Sequence, residues 1–139
     1  MMKGTSKAEQ YIYQILKLRL KKYKVSNGDR KIISPLEIDI VVENKDLKIA
    51  IEYNGAVHYK MIYGKTLKSK SKKYISIIKR DLIKEVKLKK LGWKFIIIKD
   101  KGSYNEDFLN DAIKKILKLI KELEGDRLDF DKIIIDRDL

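Results

Sequence analysis

The sequence predicts an α/β domain built from a mixed sheet flanked by helices, and three observations carry that prediction. Residues 36–54 hold two alternating apolar runs around a short polar turn, the pattern of a half-buried hairpin. Residues 6–24 and 74–91 repeat apolar side chains at helical spacing. Lys94-Phe95-Ile96-Ile97-Ile98-Lys99 is an unbroken apolar run, as expected of a strand covered on both faces. The order is helix, three strands, helix, strand, an αβββαβ core over about residues 6–99, followed by an extra C-terminal helix and tail over about 103–139. At 139 residues the chain is expected to form one domain.

Each element has a local reason. Ser6 with Glu9 three residues on is a capping-box signature, and Ala8, Ile12, Ile15, Leu16, Leu20 and Tyr23 line one stripe of the helix that follows. That helix is expected to end before the turn-forming Ser26-Asn27-Gly28-Asp29, with a short strand at 31–34 ahead of Pro35. In the hairpin, Ile38, Ile40 and Val42 take one face while Glu37, Asp39 and Val41 take the other. The second run sets Ile49, Ile51 and Tyr53 against Ala50, Glu52 and Asn54. A two-residue turn at Asn44-Lys45 makes Asp39 and Glu52 diagonal neighbours on one face.

A lysine-rich loop is expected at 59–72, then a helix from Tyr74 to Leu91 with Ile75, Ile78, Leu82, Val86 and Leu91 as its apolar positions, ended by Gly92 in a left-handed cap. Ser103 and Glu106 repeat the capping-box spacing before a helix to about Glu124, with Gly125 beyond it. Ile133 to Ile135 read as a last edge strand or an oligomer contact.

Composition narrows the chemistry. Thirty-three basic against 20 acidic residues give a net charge of +13, which points to a polyanionic partner, nucleic acid first. No apolar run is long enough to span a bilayer, and the amino terminus lacks the apolar core of a signal peptide, so the expected setting is intracellular, cytoplasmic or nucleoid-associated, with no membrane partner. With no cysteine and one histidine, thiolate metal sites and disulfides are excluded. Carboxylate-oxygen coordination of a hard cation, Mg2+ or Mn2+, is what the residue set allows. Carboxylates as crowded as Asp39 and Glu52 repel one another unless a cation joins them, although an ordinary solvent face neutralised by lysines explains the same pattern.

Further residues extend the pattern in chain order. They are Glu9 on the first helix, Asp39 on a strand, the run Glu52-Tyr53-Asn54-Gly55-Ala56-Val57-His58, Asp81 with Lys84 on a later helix, and Gly92-Trp93 ahead of the apolar strand. Together they resemble the PD-(D/E)xK nuclease superfamily, in particular its Vsr-like branch of very-short-patch repair and homing endonucleases. The resemblance implies a restriction-endonuclease-like core and metal-dependent hydrolysis of DNA. The chain departs from it at Asn54, where the superfamily motif places lysine.

The roles follow from the chemistry of phosphodiester hydrolysis, which needs an activated water and stabilisation of phosphorane-like charge. Asp39 and Glu52 are the expected metal ligands, with the backbone carbonyl of Tyr53 completing the set; Asn54 orients a water or phosphate. His58 supplies acid-base function or is a loop-packing histidine. Glu9 either bonds its capping residue or, lying on the apolar stripe, reaches the metal through water. Lys84 replaces the missing lysine, with Lys60 and Lys79 in competition; alternatively Asp81 and Lys84 form an exposed i, i+3 ion pair.

Between Tyr59 and Leu91 stand twelve basic residues and only two acids, Asp81 and Glu85. Lys60, Lys65, Lys68, Lys70, Lys72, Lys73, Lys79 and Arg80 are the expected phosphate contacts, giving affinity with little sequence information. Tyr59, Tyr63 and Tyr74 stack on unpaired bases or pack at the base of the loop. Gly64-Lys65-Thr66 lacks the earlier glycine of a nucleotide-binding loop, so a nucleoside triphosphatase is excluded. The expected function is a metal-dependent DNA endonuclease, homodimeric if it cuts both strands; the alternative is a non-catalytic nucleic-acid-binding module.

Overall fold

The computed structural model describes residues 6–55 and 67–137, with the backbone alone at 67–75 and 77. The elements in chain order are α1 (Lys7–Arg19), β1 (Lys24–Asp29), β2 (Ile38–Glu43), β3 (Lys48–Asn54), α2 (Leu67–Lys90), β4 (Lys94–Lys99), α3 (Glu106–Glu124) and β5 (Lys132–Asp136). The five strands form one mixed sheet in the order β1-β2-β3-β4-β5, antiparallel as far as β3 and parallel from β3 to β5. Among the described residues no helix is long and apolar enough to cross a membrane.

Alternation along the strands makes two cores. Ile40, Val42, Ile49, Ile51, Ile96, Ile98 and Ile135 pack under Ile12 and Leu16 of α1 and Leu109, Ile113, Ile116 and Ile120 of α3. The opposite face gathers Ile33, Ile38, Val41, Ala50, Leu88, Trp93 and Phe95. Phe95 thus lies on one face of β4 and Ile96 and Ile98 on the other, as the unbroken run requires.

Several local expectations change. The stretch Ser26-Asn27-Gly28-Asp29 is not a turn but most of β1, and the strand expected at 31–34 is replaced by a turn over 32–35. β1 is an edge strand whose main chain pairs with β2 from Lys24↔Glu43 to Asp29↔Ile38, so ladder bonds override its turn-like composition. The preceding helix accordingly stops at Arg19, with Leu20 as cap, rather than running to Lys24.

The hairpin turn has four residues instead of two. Asn44 Oδ1 accepts the N–H groups of Asp46 and Leu47 at 2.9 and 2.8 Å, and Asn44 N–H donates to the Leu47 carbonyl at 2.9 Å. This closure sets the pairs Glu43↔Lys48, Val42↔Ile49, Val41↔Ala50 and Ile40↔Ile51. Asp39 and Glu52 are therefore directly opposed rather than diagonal. A shift of two residues keeps Asp39 and Glu52 on one face, while Ile38, expected beside Ile40 and Val42, packs instead with Val41 and Ala50 in the other core.

The helix expected from Tyr74 begins at Leu67, because the Lys/Ser/Leu run after Gly64 contains no glycine or proline to stop a helix started there. Its expected apolar stripe does not seek the core: Ile78, Leu82, Val86 and Leu91 are 40–57% exposed, while Lys84 and Leu88 are buried. Gly92 does adopt the left-handed conformation, φ 79°, and Trp93 N–H closes onto the Leu88 carbonyl at 3.0 Å. On α3 the capping residue is Asn105, not Ser103, since its side chain accepts the Phe108 N–H. The left-handed residue after that helix is Asp126, φ 54°, one beyond Gly125.

Asn44 fixes the register without contributing to the core. Asn44→Ala is expected to cost about 1–2 kcal/mol, since two N–H groups lose one acceptor. Equilibrium denaturation should show a lower midpoint at unchanged m-value.

Candidate active site

The polar centre lies where the carbonyl-terminal half of β3 meets α1, β1, β2 and α2. Because Asp39 and Glu52 are opposed, each carboxylate can take a main-chain donor from the facing strand. Asp39 N–H donates to Glu52 Oε2 at 2.8 Å, and Tyr53 N–H donates to Asp39 Oδ2 at 2.9 Å. Lys84 Nζ donates to the remaining Glu52 oxygen, Oε1, at 2.8 Å. Glu52 and Lys84 are both buried, with 6% and 10% of their side chains exposed. The alternative of an exposed Asp81–Lys84 pair gives way here: Lys84 turns into the protein and its bonded partner is Glu52.

Glu9 joins from α1. Its N–H satisfies the Ser6 hydroxyl at 3.0 Å, as the capping spacing anticipates, but its carboxylate is directed elsewhere. Oε2 accepts Asn27 Nδ2 at 2.8 Å, and the same amide reaches the Asp39 carbonyl at 2.7 Å. Gln10 Nε2 in turn donates to Asn27 Oδ1 at 2.7 Å, fixing the amide's orientation. Asn27 ties the first helix to the strand that carries Asp39. Nothing in the linear order of Ser-Asn-Gly-Asp marks it; only β1's pairing brings it to the site.

Three carboxylates and one ammonium share a poorly solvated place, and their proton affinities reflect it. Desolvation first, then repulsion by Asp39, lifts Glu9 to about 7 despite the Asn27 hydrogen bond. Desolvation also raises Asp39, against the Tyr53 N–H and the Lys84 charge, and raises Glu52, with Asp39 adding to the effect. Burial opposes the charge of Lys84, but Glu52, through Coulomb attraction and its hydrogen bond, together with Asp39 and Asp81, raises its pKa overall. Glu52 and Lys84 pull in opposite senses on their shared proton. The geometry of a 2.8 Å buried ion pair favours the charged form of both.

Two depressions open onto this centre. One, of about 440 Å³, is lined by Arg30, Pro35, Leu36, Glu37, Asp39, Arg80 and Lys84. Arg30 is held there by Glu37 at 2.8 Å and was not marked by any sequence motif. The other, about 260 Å³, includes Glu52, Asn54, Asp81 and Lys84. Asn54 ends β3, and its carbonyl accepts the Asp100 N–H at 2.9 Å. Tyr53 turns its hydroxyl to Asp100, donating at 2.6 Å to a carboxylate that also holds Arg137 at 2.9 Å.

The structure thus brings Glu9, Asp39, Glu52, Tyr53, Asn54 and Lys84 together, with Arg80 at the rim. Lys79 is exposed on α2 and does not line either depression. His58, Lys60 and Lys65 lie outside the described residues, as do the side chains of Lys68, Lys70, Lys72 and Lys73 on α2. Among the described residues no three His, Cys, Asp or Glu side chains converge as a metal cage. The donor chemistry nevertheless fits a hard divalent ion: oxygen ligands only, and more buried carboxylates than cations to balance them.

Comparison with known proteins shows no family for this chain. No family model matches the chain, and no curated protein does. Among solved structures, one similar chain is titled "Crystal Structure of Protein of Unknown Function AF1548". It shares 14% identity at a TM-score of 0.37, over 93% of this chain and 56% of its own, a likeness too distant to define fold family or function. This chain spans little more than half of that neighbour. Fold and site together define an α/β protein with a buried carboxylate–lysine cluster.

Glu9 makes that cluster measurable. Its folded pKa of about 7 lies above its ordinary 4.5, so between those values the folded state retains a proton that the unfolded chain has released. In chelator, stability should fall as pH rises through that window. Glu9→Gln should flatten the decline and gain about 1–2 kcal/mol at pH 8. Lys84→Met should lose about 2–3 kcal/mol at pH 8 and less at pH 5, where Glu52 protonates; Glu52→Gln in the same chain should restore most of it. Denaturant titrations across pH read both effects.

Proposed function

We propose that the protein is a metal-dependent nuclease that hydrolyses phosphodiester bonds in DNA, with Asp39, Glu52 and Lys84 at its reaction centre. The observation that carries the reading is the opposed pair Asp39–Glu52 with the Lys84 ammonium on Glu52, set beside a depression bearing Arg30 and Arg80. The fold then belongs to the restriction-endonuclease-like class. The carboxylates of Asp39 and Glu52 and the carbonyl of Tyr53 would hold the cation, Mg2+ or Mn2+, which would supply acidification of a water and charge balance for the phosphate.

The chain's own residues do the rest. Arg30 and Arg80 take non-bridging phosphate oxygens, for which a planar guanidinium is suited. Lys84 supplies the positive charge that motif position 54 lacks, at an atom already fixed by Glu52. Asn54 orients a water or phosphate through its amide. Glu9 bears on the same centre as a base reached through water, since its raised pKa makes proton uptake near neutrality favourable. His58 is the other proton-transfer candidate. The helical backbone also puts positions 73, 80 and 84 on one side of α2, so the basic residues expected to track the DNA backbone continue the line from the site.

A second reading has its own observation. Lys84 already neutralises Glu52, and a closed ion pair beside Asn54 is what a binding module that has lost catalysis would keep.

Nicking of supercoiled plasmid separates the two. Purified protein should nick with Mg2+ or Mn2+ and stop with chelator; Asp39→Ala and Glu52→Ala should retain DNA binding and lose cleavage. Lys84→Ala should slow single-turnover cleavage on the order of 10²-fold or more. Arg30→Ala with Arg80→Ala should weaken binding to all sequences and flatten its salt dependence by up to about 0.9 log–log slope units for each phosphate no longer neutralised. Binding without metal-dependent cleavage establishes the binding module; cleavage by both carboxylate variants places the reaction elsewhere.

A further inference from the structure

The outer edge of the sheet has a property independent of the nuclease reading. β5, Lys132-Ile133-Ile134-Ile135-Asp136, ends the strand order, and among the described residues only β4 pairs with it. Asp131 accepts from Phe95 N–H and Arg137 N–H donates to the Lys99 carbonyl, both at 3.0 Å, so the main-chain groups of odd-numbered positions turn toward β4. Alternation then sends the N–H and carbonyl groups of Lys132, Ile134 and Asp136 outward.

We infer that this edge is a self-association surface, on which a second copy of the chain adds its own β5 antiparallel about Ile134. The sequence is self-complementary in that register. Ile134 meets Ile134 of the second copy, and each Lys132 meets the other chain's Asp136, giving two opposite-charge pairs from one strand. The outward main-chain groups are those an antiparallel pair centred on Ile134 bonds directly, so parity and charge select the same alignment.

The exposed apolar surface continues it. Ile134 is 43% exposed and lies on the face covered by α2, whose Ile78 and Leu82 are 40% and 57% exposed and line the same depression. A two-fold axis through an antiparallel pair, perpendicular to the sheet, keeps both copies of α2 on one face, where these side chains flank the axis. The result is a continuous ten-stranded sheet with both exposed edges of β5 removed. Lys132 also donates to Glu85 of its own chain at 2.9 Å, so its charge is held in place before association, and Asp136 stands in register with Lys99 of β4.

Sedimentation velocity of the full chain, in enough salt to screen the repulsion of two +13 molecules, tests this. The wild type should pass from monomer to dimer as concentration rises. Lys132→Glu alone and Asp136→Lys alone should each weaken self-association roughly tenfold or more, because like charges then face each other twice. Mixed together, the two variants should form a heterodimer, since each then meets its opposite. Wild type that stays monomeric, a dimer indifferent to both substitutions, or a mixture that fails to recover overturns the inference. Because either variant sets like charges beside Glu85 or Lys99, a measurement on the wild type stands beside them. Amide exchange at Lys132, Ile134 and Asp136 should slow with concentration, while Ile133 and Ile135, already turned to β4, should not change. Equal slowing at all five, or at none, also overturns it.

Discussion

The direct opposition of Asp39 and Glu52 across β2 and β3 is the constraint on which the rest of the structure turns. Opposed side chains on neighbouring strands are held with Cβ atoms about 4.5–5.5 Å apart. The strands cannot part to relieve the repulsion, because the next pair along, Ile40↔Ile51, is buried in the larger core. Sliding by one residue would turn that whole apolar set to the other face. The charge must therefore be met where it stands, by protons, by a side-chain cation or by a bound one. Every polar feature around the site answers that demand: two main-chain N–H donors, the Asn27 amide, the Lys84 ammonium and the raised proton affinity of the carboxylates.

The rotation of α2 shows how strongly it acts. A helix with Ile78, Leu82, Ile83 and Val86 exposed and Lys84 buried leaves its apolar stripe partly in solvent and seats a lysine against the sheet. Leaving each of those side chains about half exposed forgoes roughly 1 kcal/mol apiece. Leaving Glu52 ionised and unpaired in the same interior costs several kcal/mol. Leu88, one turn after Lys84, keeps the helix anchored on Trp93 and Phe95, so this apolar contact and the buried Lys84–Glu52 ion pair together fix its inner face. The apolar stripe left outside is then available to whatever covers that face.

This balance explains what the sequence could and could not disclose. The hairpin was legible because alternation is a property of neighbours in the chain, and both carboxylates fall on the expected face. Their register was not, because it depends on Asn44 accepting two N–H groups and lengthening the turn to four residues. β4 was legible from its unbroken apolar run. β1 was hidden: Ser-Asn-Gly-Asp has turn composition, and only pairing with β2 makes it a strand. For the same reason Asn27 and Arg30, which reach the site through β1 and the turn after it, carried no local signal. Helical periodicity located α2 but chose the wrong inner face, since hydrophobicity alone ranks Ile78 and Leu82 ahead of a lysine.

Strand register, buried charge and helix packing meet at position 54. A lysine there would share the strand of Glu52, two residues on and on the same face, at the end where the main chain is already committed to Asp100. Lys84 reaches the same carboxylate from a separate element, so its position depends on how α2 packs rather than on the strand's pleat. The hydrolysis proposed above would need a positive charge at a defined place, and a four-carbon stem delivers it from a neighbouring helix as well as from the strand. Motif spacing along the chain records only one of those routes. The electrostatic requirement at Glu52 is the same for both, and the buried Lys84–Glu52 bond meets it without a lysine in the motif.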